Sequence, residues 1–223
     1  MHQNRYISAV SKTNRAVSSG RLGKLTHGSA VVQWNRNDEY YAKSPWRGTK
    51  AMDGGCLLNQ AIHNIDLLQW MLGDVDMVFG FAATQLRKIE SEDNAVAVLK
   101  FANGSFGTIE ASTTIYPSNL EETLSIYGSK GTVLLGGVSM GKIRTWRIDG
   151  DNEADVLAEQ ASEPEFPRYT CHQRVLEDMA RAVVDNRQPV IDGYEGRKAL
   201  AIIEAIYESN ETGLPVNLSR EEK

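Results

Sequence analysis

Apolar positions at helical spacing recur three times near the ends of the chain and once in its first third. Val10, Ala16 and Val17 predict a helix from about Ser8 to Ser19, stopped by Gly20. Leu57 to Leu72 is the clearest helical segment, closed by Gly73. Tyr169 to Asp185 carries Val175, Met179, Ala182 and Val183 on one side. Tyr194 to Ser209 carries Ala199, Ile202, Ile203 and Ile206, with Gly213 as its stop. Between the second and third helices the pattern changes to that of strands. Asp93 to Ala102 and Ser105 to Ile115 flank Asn103-Gly104, a dipeptide that favours a tight two-residue hairpin. Glu122 to Tyr127 and Thr132 to Leu135 flank Gly128-Ser129-Lys130-Gly131, and Lys142 to Ile148 makes another strand. Leu25 to Trp34 alternates loosely in the same manner, and Asn35 to Asp53 reads as a long ordered loop of the kind that often carries function.

Strands joined by hairpins predict an antiparallel sheet rather than alternating strand–helix–strand units. The fold class is therefore α+β: a large, mainly antiparallel open sheet with helices packed on one face. No linker divides the chain, so residues 1–223 are expected to form one domain. Such a sheet leaves its second face wet or available for assembly. In Phe106 to Ile115 the small and hydroxyl side chains suit either outcome, and a homo-oligomer through the open face is the expectation.

Composition narrows the classes. The 223 residues are 41% hydrophobic and 24% charged, with a net charge of -5 spread among interspersed acids and bases. No basic stripe is present to track phosphates, so nucleic acid is not an expected partner. No apolar run is long enough to cross a bilayer, and Met1 to Val10 lacks a signal-peptide core. Cys56 and Cys171 are too few and too far apart for a disulfide scaffold, and buried free thiols in a reducing cytoplasm are expected. No Gly-x-Gly-x-x-Gly occurs. The nearest approach, Gly136-Gly137-Val138-Ser139-Met140-Gly141, has the wrong spacing and lies between strands. Phosphate-loop, nucleophile-elbow, Cys-x-x-Cys and His-Glu-x-x-His motifs are also absent, so no cofactor or metal is expected on this chain.

Asp53-Gly54-Gly55-Cys56-Leu57-Leu58-Asn59-Gln60-Ala61-Ile62-His63-Asn64-Ile65-Asp66 is the most informative stretch. On a helix, Asn59, His63, Asp66 and Trp70 form one narrow stripe, while Leu57, Leu58, Ala61, Ile62, Ile65, Leu68 and Leu72 form another arc that can face the core. A histidine there, with a carboxylate one turn later to orient its ring, is a plausible acid–base group. From spacing alone a satisfied, partly buried histidine near a helix start is the commoner meaning of this pattern. A metal reading of His63 with Asp66 lacks a third ligand.

Gly-Gly, Leu, Asn, then His-x-x-Asp-Leu-x-x-Trp-x-x-Gly resembles the signature of the glucose–fructose oxidoreductase/inositol dehydrogenase (Gfo/Idh/MocA) family. The likeness continues through Gln3-Asn4-Arg5-Tyr6, Gly23-Lys24-Leu25, Tyr41 with Pro45-Trp46-Arg47-Gly48, Glu177-Asp178-Met179, Glu195-Gly196-Arg197-Lys198-Ala199-Leu200 and Pro215-Val216. The resemblance implies the family's carboxy-terminal domain, which is dihydrodipicolinate-reductase-like, without its nucleotide-binding Rossmann domain. Full-length members use NAD or NADP and move a hydride at a sugar or polyol carbon, aided by a lysine in a Glu-Lys-Pro motif. That motif does not occur here, so the chain alone is expected to be inactive and to bind no coenzyme. Many members carry an aspartate where this chain has Asn59, and an amide hydrogen-bonds a hydroxyl but cannot act as a base.

By position, the resemblance places His63 at the reacting carbon with Asn59 beside it, and gives Asp66 the task of fixing the helix or the ring. Arg5, Trp34, Arg36, Tyr41, Trp46 and Arg47 would line a sugar pocket, since aromatic faces cover sugar C–H surfaces and arginine forks grip carboxylates or phosphates. Core packing is an equal reading for each aromatic taken singly. His172 would reach the pocket or simply sit at a helix start, while His2 and His27 are expected at the surface. The Asn-Gln before Ala-Ile-His looks closest to members acting on nucleotide-linked or amino sugars and their uronic acids. A non-enzymatic, oligomeric sugar-binding module that kept the fold is the rival expectation.

Overall fold

The computed structural model describes residues 1–137, 139–162 and 169–218. A 3₁₀ turn, Gln3–Tyr6, leads into α1 (Ser8–Ser18), whose Ala9, Val10 and Ala16 face the interior; the Thr13 hydroxyl on that face is satisfied by the Ala9 carbonyl at 2.8 Å. Strand β1 (Leu25–Gln33) follows, with Gly28, Ala30 and Val32 inward, as its alternation requires. The predicted loop at Asn35 to Asp53 contains a short helix, α2 (Asp38–Ala42), started by the Asn37 side chain, which accepts from the Tyr40 backbone N–H.

The segment Leu57 to Leu72 is helical but not uniform. Cys56–Ala61 forms a π-helical turn, and α3 (Ile62–Leu72) continues it as an α-helix. The remaining elements are β2 (Val75–Ala83), β3 (Asn94–Phe101), β4 (Phe106–Ser112), β5 (Glu121–Gly128), β6 (Gly131–Gly136), β7 (Lys142–Ile148), α4 (Glu153–Ser162), α5 (Tyr169–Val184), α6 (Gly193–Thr212) and β8 (Val216–Asn217).

All eight strands join one sheet in the order β7-β6-β5-β1-β4-β3-β2-β8. Every pairing is antiparallel except β1 with β4, which is parallel with Ala30 opposite Ile109. The chain returns to β4 only after crossing α3 and adding β2 and β3, which sets one parallel pair within the mainly antiparallel sheet. Both predicted hairpins are present, but Asn103-Gly104 closes a three-residue loop with Ala102, between Phe101 and Ser105, in place of the expected two-residue turn, whereas Gly128 pairs directly with Gly131.

Helices cover one face of this sheet: α3 lies on β1 and β5, α6 on β2, and α4 on β7. Inward strand residues such as Val78, Ala97, Leu99, Ile109, Leu124, Ile126 and Val133 join Leu57, Ile65, Leu68, Ile202 and Ile206 in one buried cluster. The opposite face keeps Phe81, Val96, Val98 and Phe106 more than half exposed. No described helix is long and apolar enough to cross a membrane. Both cysteines are free; Cys56 is buried, but Cys171 is only half-buried.

Candidate functional site

The site is built around the start of the α3 helical segment. Gly54 and Gly55 both take φ near +75° (77° and 74°), a region closed to most side chains. A Cβ on Gly55 would lie 2.1 Å from Glu92 Oε2. That close approach lets Glu92, two residues before β3, accept from the Leu57 backbone N–H at 2.9 Å, while its own carbonyl accepts from the Cys56 N–H at 3.0 Å. Tyr207 of α6 donates to the same carboxylate oxygen at 3.0 Å and to the Gly54 carbonyl at 2.8 Å. Burial raises the Glu92 pKa, and burial followed by the Glu92 charge pushes the Tyr207 phenol up. The turn carrying Asn59 and Gln60 is thus pinned at its first residues by two neighbouring elements.

Asn59 donates to the Asp53 carboxylate and accepts from Gln60 Nε2 at 2.5 Å. Gln60 is the hub: the same Nε2 reaches the Tyr40 hydroxyl at 3.3 Å, and its Oε1 accepts from Arg36 Nη2 at 2.7 Å. Arg36 also donates to the Asn35 carbonyl at 2.9 Å and to Asn119 Oδ1 at 3.2 Å. Its guanidinium lies 4.5 Å from the Trp34 ring centroid and 5.0 Å from that of Tyr40. Arg47 stacks on the same Tyr40 at 4.1 Å and on Trp46 at 4.8 Å. Tyr41 is half-buried, with its hydroxyl 3.3 Å from Thr113 Oγ1. Five predicted pocket residues, Trp34, Arg36, Tyr41, Trp46 and Arg47, therefore belong to one loop region, and Arg36 ties it to the helix through Gln60. The Nε atoms of Arg36 and Arg47 and the Trp34 Nε1 are buried with no acceptor among the described residues. Each such donor costs roughly 1–3 kcal/mol when left dry.

His63 sits one turn beyond Asn59 and is partly buried. Its Nε2 is 3.2 Å from the Gln3 amide nitrogen, and its ring meets His2 edge-on at 6.1 Å. Burial first, then the positive charges of His2, the amino terminus and His172, lower its pKa to about 4. At neutral pH the imidazole is uncharged and exchanges single hydrogen bonds. His172 is exposed on α5 and reaches His63 through its charge.

Asp66, expected to fix the helix or the ring, makes no hydrogen bond to His63 among the described residues. It holds Arg5 in a two-pronged pair, Nε–Oδ2 at 2.9 Å and Nη2–Oδ1 at 2.6 Å, with Arg5 Nη1 on Glu195 at 2.9 Å. Arg5 is 3% exposed and also stacks on Trp70 at 4.9 Å. The structure therefore places Arg5 in the joint between the amino-terminal turn, α3 and α6, apart from the loop cluster. His2 is not a surface residue: it is 4% exposed, 3.6 Å from Asp66 and within 3.4 Å of the Gly196 carbonyl. Burial lowers its pKa against the opposing pull of Asp66. His27 is exposed, as expected, and stacks on Tyr127 at 4.3 Å. A shallow groove of about 270 Å³ lies on the far side of His2, lined largely by Val175, Leu176, Met179, Pro189 and Ile191.

Sequence reasoning overlooked Gln3, Tyr40, Gln60 and Glu92. The Asn59-Gln60 and Tyr40-Tyr41 pairs were the available signals, and only one member of each was chosen. Among the described residues, no group of three His, Cys, Asp or Glu could hold a metal. Gly136 and Gly137 follow β6 and precede β7 in an antiparallel pair, so among the described residues that glycine turn does not open a helix.

Comparison with known proteins extends the picture. Residues 10–134 match the family described as the GFO/IDH/MocA C-terminal domain. The crystal structure of the WlbA dehydrogenase from Bordetella pertussis, in complex with NADH and UDP-GlcNAcA, superposes with a TM-score of 0.87 at 34% identity, over 98% of this chain and 62% of that one. Myo-inositol 2-dehydrogenase of Thermotoga maritima is 25% identical over 221 residues, 96% of this chain and 62% of its own length. D-apiose dehydrogenase of Rhizobium rhizogenes is 26% identical over 164 residues, 70% of this chain and 47% of its own. This chain thus spans less than two thirds of each of these proteins.

Proposed function

The chain belongs to the Gfo/Idh/MocA C-terminal domain family, and from that premise we propose that it is the substrate-binding half of an NAD(P)-dependent oxidoreductase acting on a sugar or nucleotide-linked sugar. The observation that carries this reading is the continuous polar path from Asn59 through Gln60 to Arg36, with Trp34, Tyr40 and Trp46 beside it and His63 one turn away. Amide groups pair with hydroxyls in both directions, and aromatic faces cover the apolar faces of a sugar ring. That combination suits a polyhydroxylated ring.

In this reading the chain binds and orients. Asn59 holds a substrate hydroxyl, and neutral His63 stands where it can accept or return that hydroxyl's proton. Arg5 and Asp66 position the segment rather than touch the ligand. No step of hydride transfer is assigned to these residues, because none of them can hold the coenzyme; alone, the chain is inactive. It is a cytoplasmic protein that assembles with its own copies through the exposed face of the sheet, where Phe81, Val96, Val98 and Phe106 lie.

Calorimetry tests the reading. Titrating UDP-GlcNAcA into the chain should give saturable binding, weakened about tenfold by Asn59→Ala, the loss of one buried hydrogen bond. NAD⁺ and NADP⁺ should give no heat. Micromolar coenzyme binding, or sugar binding indifferent to Asn59, would count against it.

A further inference from the structure

The amino-terminal turn, Gln3–Tyr6, reaches α3 through two neighbouring side chains. Arg5 grips the Asp66 carboxylate with its Nε and Nη2. Gln3 places its Nε2 at 3.2 Å from His63 Nε2. His63 and Asp66 are three residues apart on the helix and so lie on one face. The turn is held without help from Gln3: the Arg5 carbonyl accepts from the Ser11 hydroxyl at 2.8 Å, and the Tyr6 carbonyl accepts from Arg174 Nη1 at 3.2 Å. The Arg5 guanidinium is enclosed by Asp66, Glu195 and the Trp70 ring. These anchors fix where the Gln3 amide can reach.

A neutral imidazole has one N–H and one lone pair, and the partner of one nitrogen sets the proton on the other. The amide nitrogen of Gln3 can only donate, so His63 Nε2 accepts and the ring proton lies on Nδ1. Nothing at the other nitrogen competes for that choice: His63 Nδ1 is buried with no hydrogen-bond partner among the described residues. The titratable groups that act on the ring are His2, the amino terminus and His172, and none of them is a carboxylate.

We infer that Gln3 is the positioning residue for His63: anchored by the Arg5–Asp66 pair, it keeps Nε2 free of a proton, so that Nε2 is the atom able to take the proton of a bound hydroxyl. The part played toward a hydroxyl rests on the proposal that the Asn59–His63 edge binds a sugar; the placement of the ring proton does not. When a hydroxyl replaces Gln3 at Nε2, its proton passes to that nitrogen and the ring becomes an imidazolium with N–H on both sides. The Gln3 amide is then free to donate to the oxygen left behind. A ring protonated on Nε2 from the outset would have no lone pair there to accept with.

Long-range ¹H–¹⁵N correlation spectra of the whole chain at pH 7 test this, because protonated and unprotonated ring nitrogens resonate far apart. The His63 signals are identified by their loss in His63→Gln. In the unaltered chain His63 should carry its proton on Nδ1 in roughly fivefold excess, the ratio that one hydrogen bond sustains. Gln3→Glu, whose carboxylate can only accept, should place a proton on Nε2, and Gln3→Ala should remove the excess. Both variants keep Arg5 and Asp66, and thermal melts confirm that they fold; if Gln3→Glu does not, Gln3→Ala and the unaltered chain carry the test. A His63 protonated on Nε2 in the unaltered chain would overturn the inference and leave the sugar reading, which calorimetry tests, standing. So would spectra that neither Gln3 variant changes. A ring protonated on Nδ1 in a chain that binds no UDP-GlcNAcA would uphold the hold of Gln3 on the ring and overturn its part toward a hydroxyl.

Discussion

Replacing Asp66 by asparagine should destabilise the chain severely, although the two side chains have nearly the same shape. The carboxylate is fully buried, and each of its oxygens accepts from Arg5, itself 3% exposed. Removing its charge leaves a buried guanidinium whose remaining acid, Glu195, is 27% exposed at its side chain and shared with Lys198 at 2.8 Å. Losing one partner of a buried pair costs about 3–5 kcal/mol, because the survivor is left uncompensated. For a chain of this size that corresponds to a fall in Tm of roughly 6–20 °C. Urea denaturation at pH 7 should show the midpoint falling with little change in slope. The double variant Arg5→Met, Asp66→Leu should recover most of the loss, since it removes both charges together. A loss below about 1 kcal/mol for Asp66→Asn would refute the reasoning. It would mean that Arg5 reaches water and that the amino-terminal turn is not fixed to α3 by this pair.

Stability should also fall in mild acid. The folded chain holds His63 near pKa 4, below its ordinary 6.5, and holds His2 low as well, so the unfolded chain takes up their protons first. The contribution is complete above pH 6.5 and is lost as pH drops toward 4, by at most about 3 kcal/mol for His63. Urea midpoints across that range should flatten in His63→Gln. Glu92→Ala removes the acceptor for the Leu57 N–H and the Tyr207 hydroxyl and should cost roughly 3 kcal/mol by the same assay, with sugar affinity reduced even where the protein remains folded. Phe81→Asp, on the open face of β2, should shift sedimentation velocity from an oligomer to a monomer while changing the melting of the monomer little.

Features fixed by neighbours in the chain were legible in the sequence. Asn103-Gly104 sets its hairpin through local backbone preference, and the apolar arc of Leu57 to Leu72 announces a helix wherever it packs. The β1–β4 parallel pair was not legible, because it joins segments separated by α3 and two strands. Nor was the π-helical turn, which depends on Glu92 and Tyr207 meeting Gly54, Gly55 and Leu57. Helix α4 escaped notice because none of its residues is buried and its apolar stripe is thin. At the site, the sequence gathered Asn59, His63 and the aromatic–arginine loop but assigned Arg5 to the pocket and His2 to the surface. Arginine on a polar turn looks the same whether it meets a ligand or a carboxylate. Only the fold brings Asp66 beneath Arg5 and His2.

The most direct test of a sugar held at the Asn59–His63 edge is a two-dimensional NMR titration of the histidine ring resonances with UDP-GlcNAcA, assigned with His63→Gln. The His63 resonances should move with a single saturable dissociation constant while those of exposed His27 stay still. Unmoved His63 signals, with ligand-induced shifts confined to the Val175–Ile191 groove beyond His2, would contradict the account.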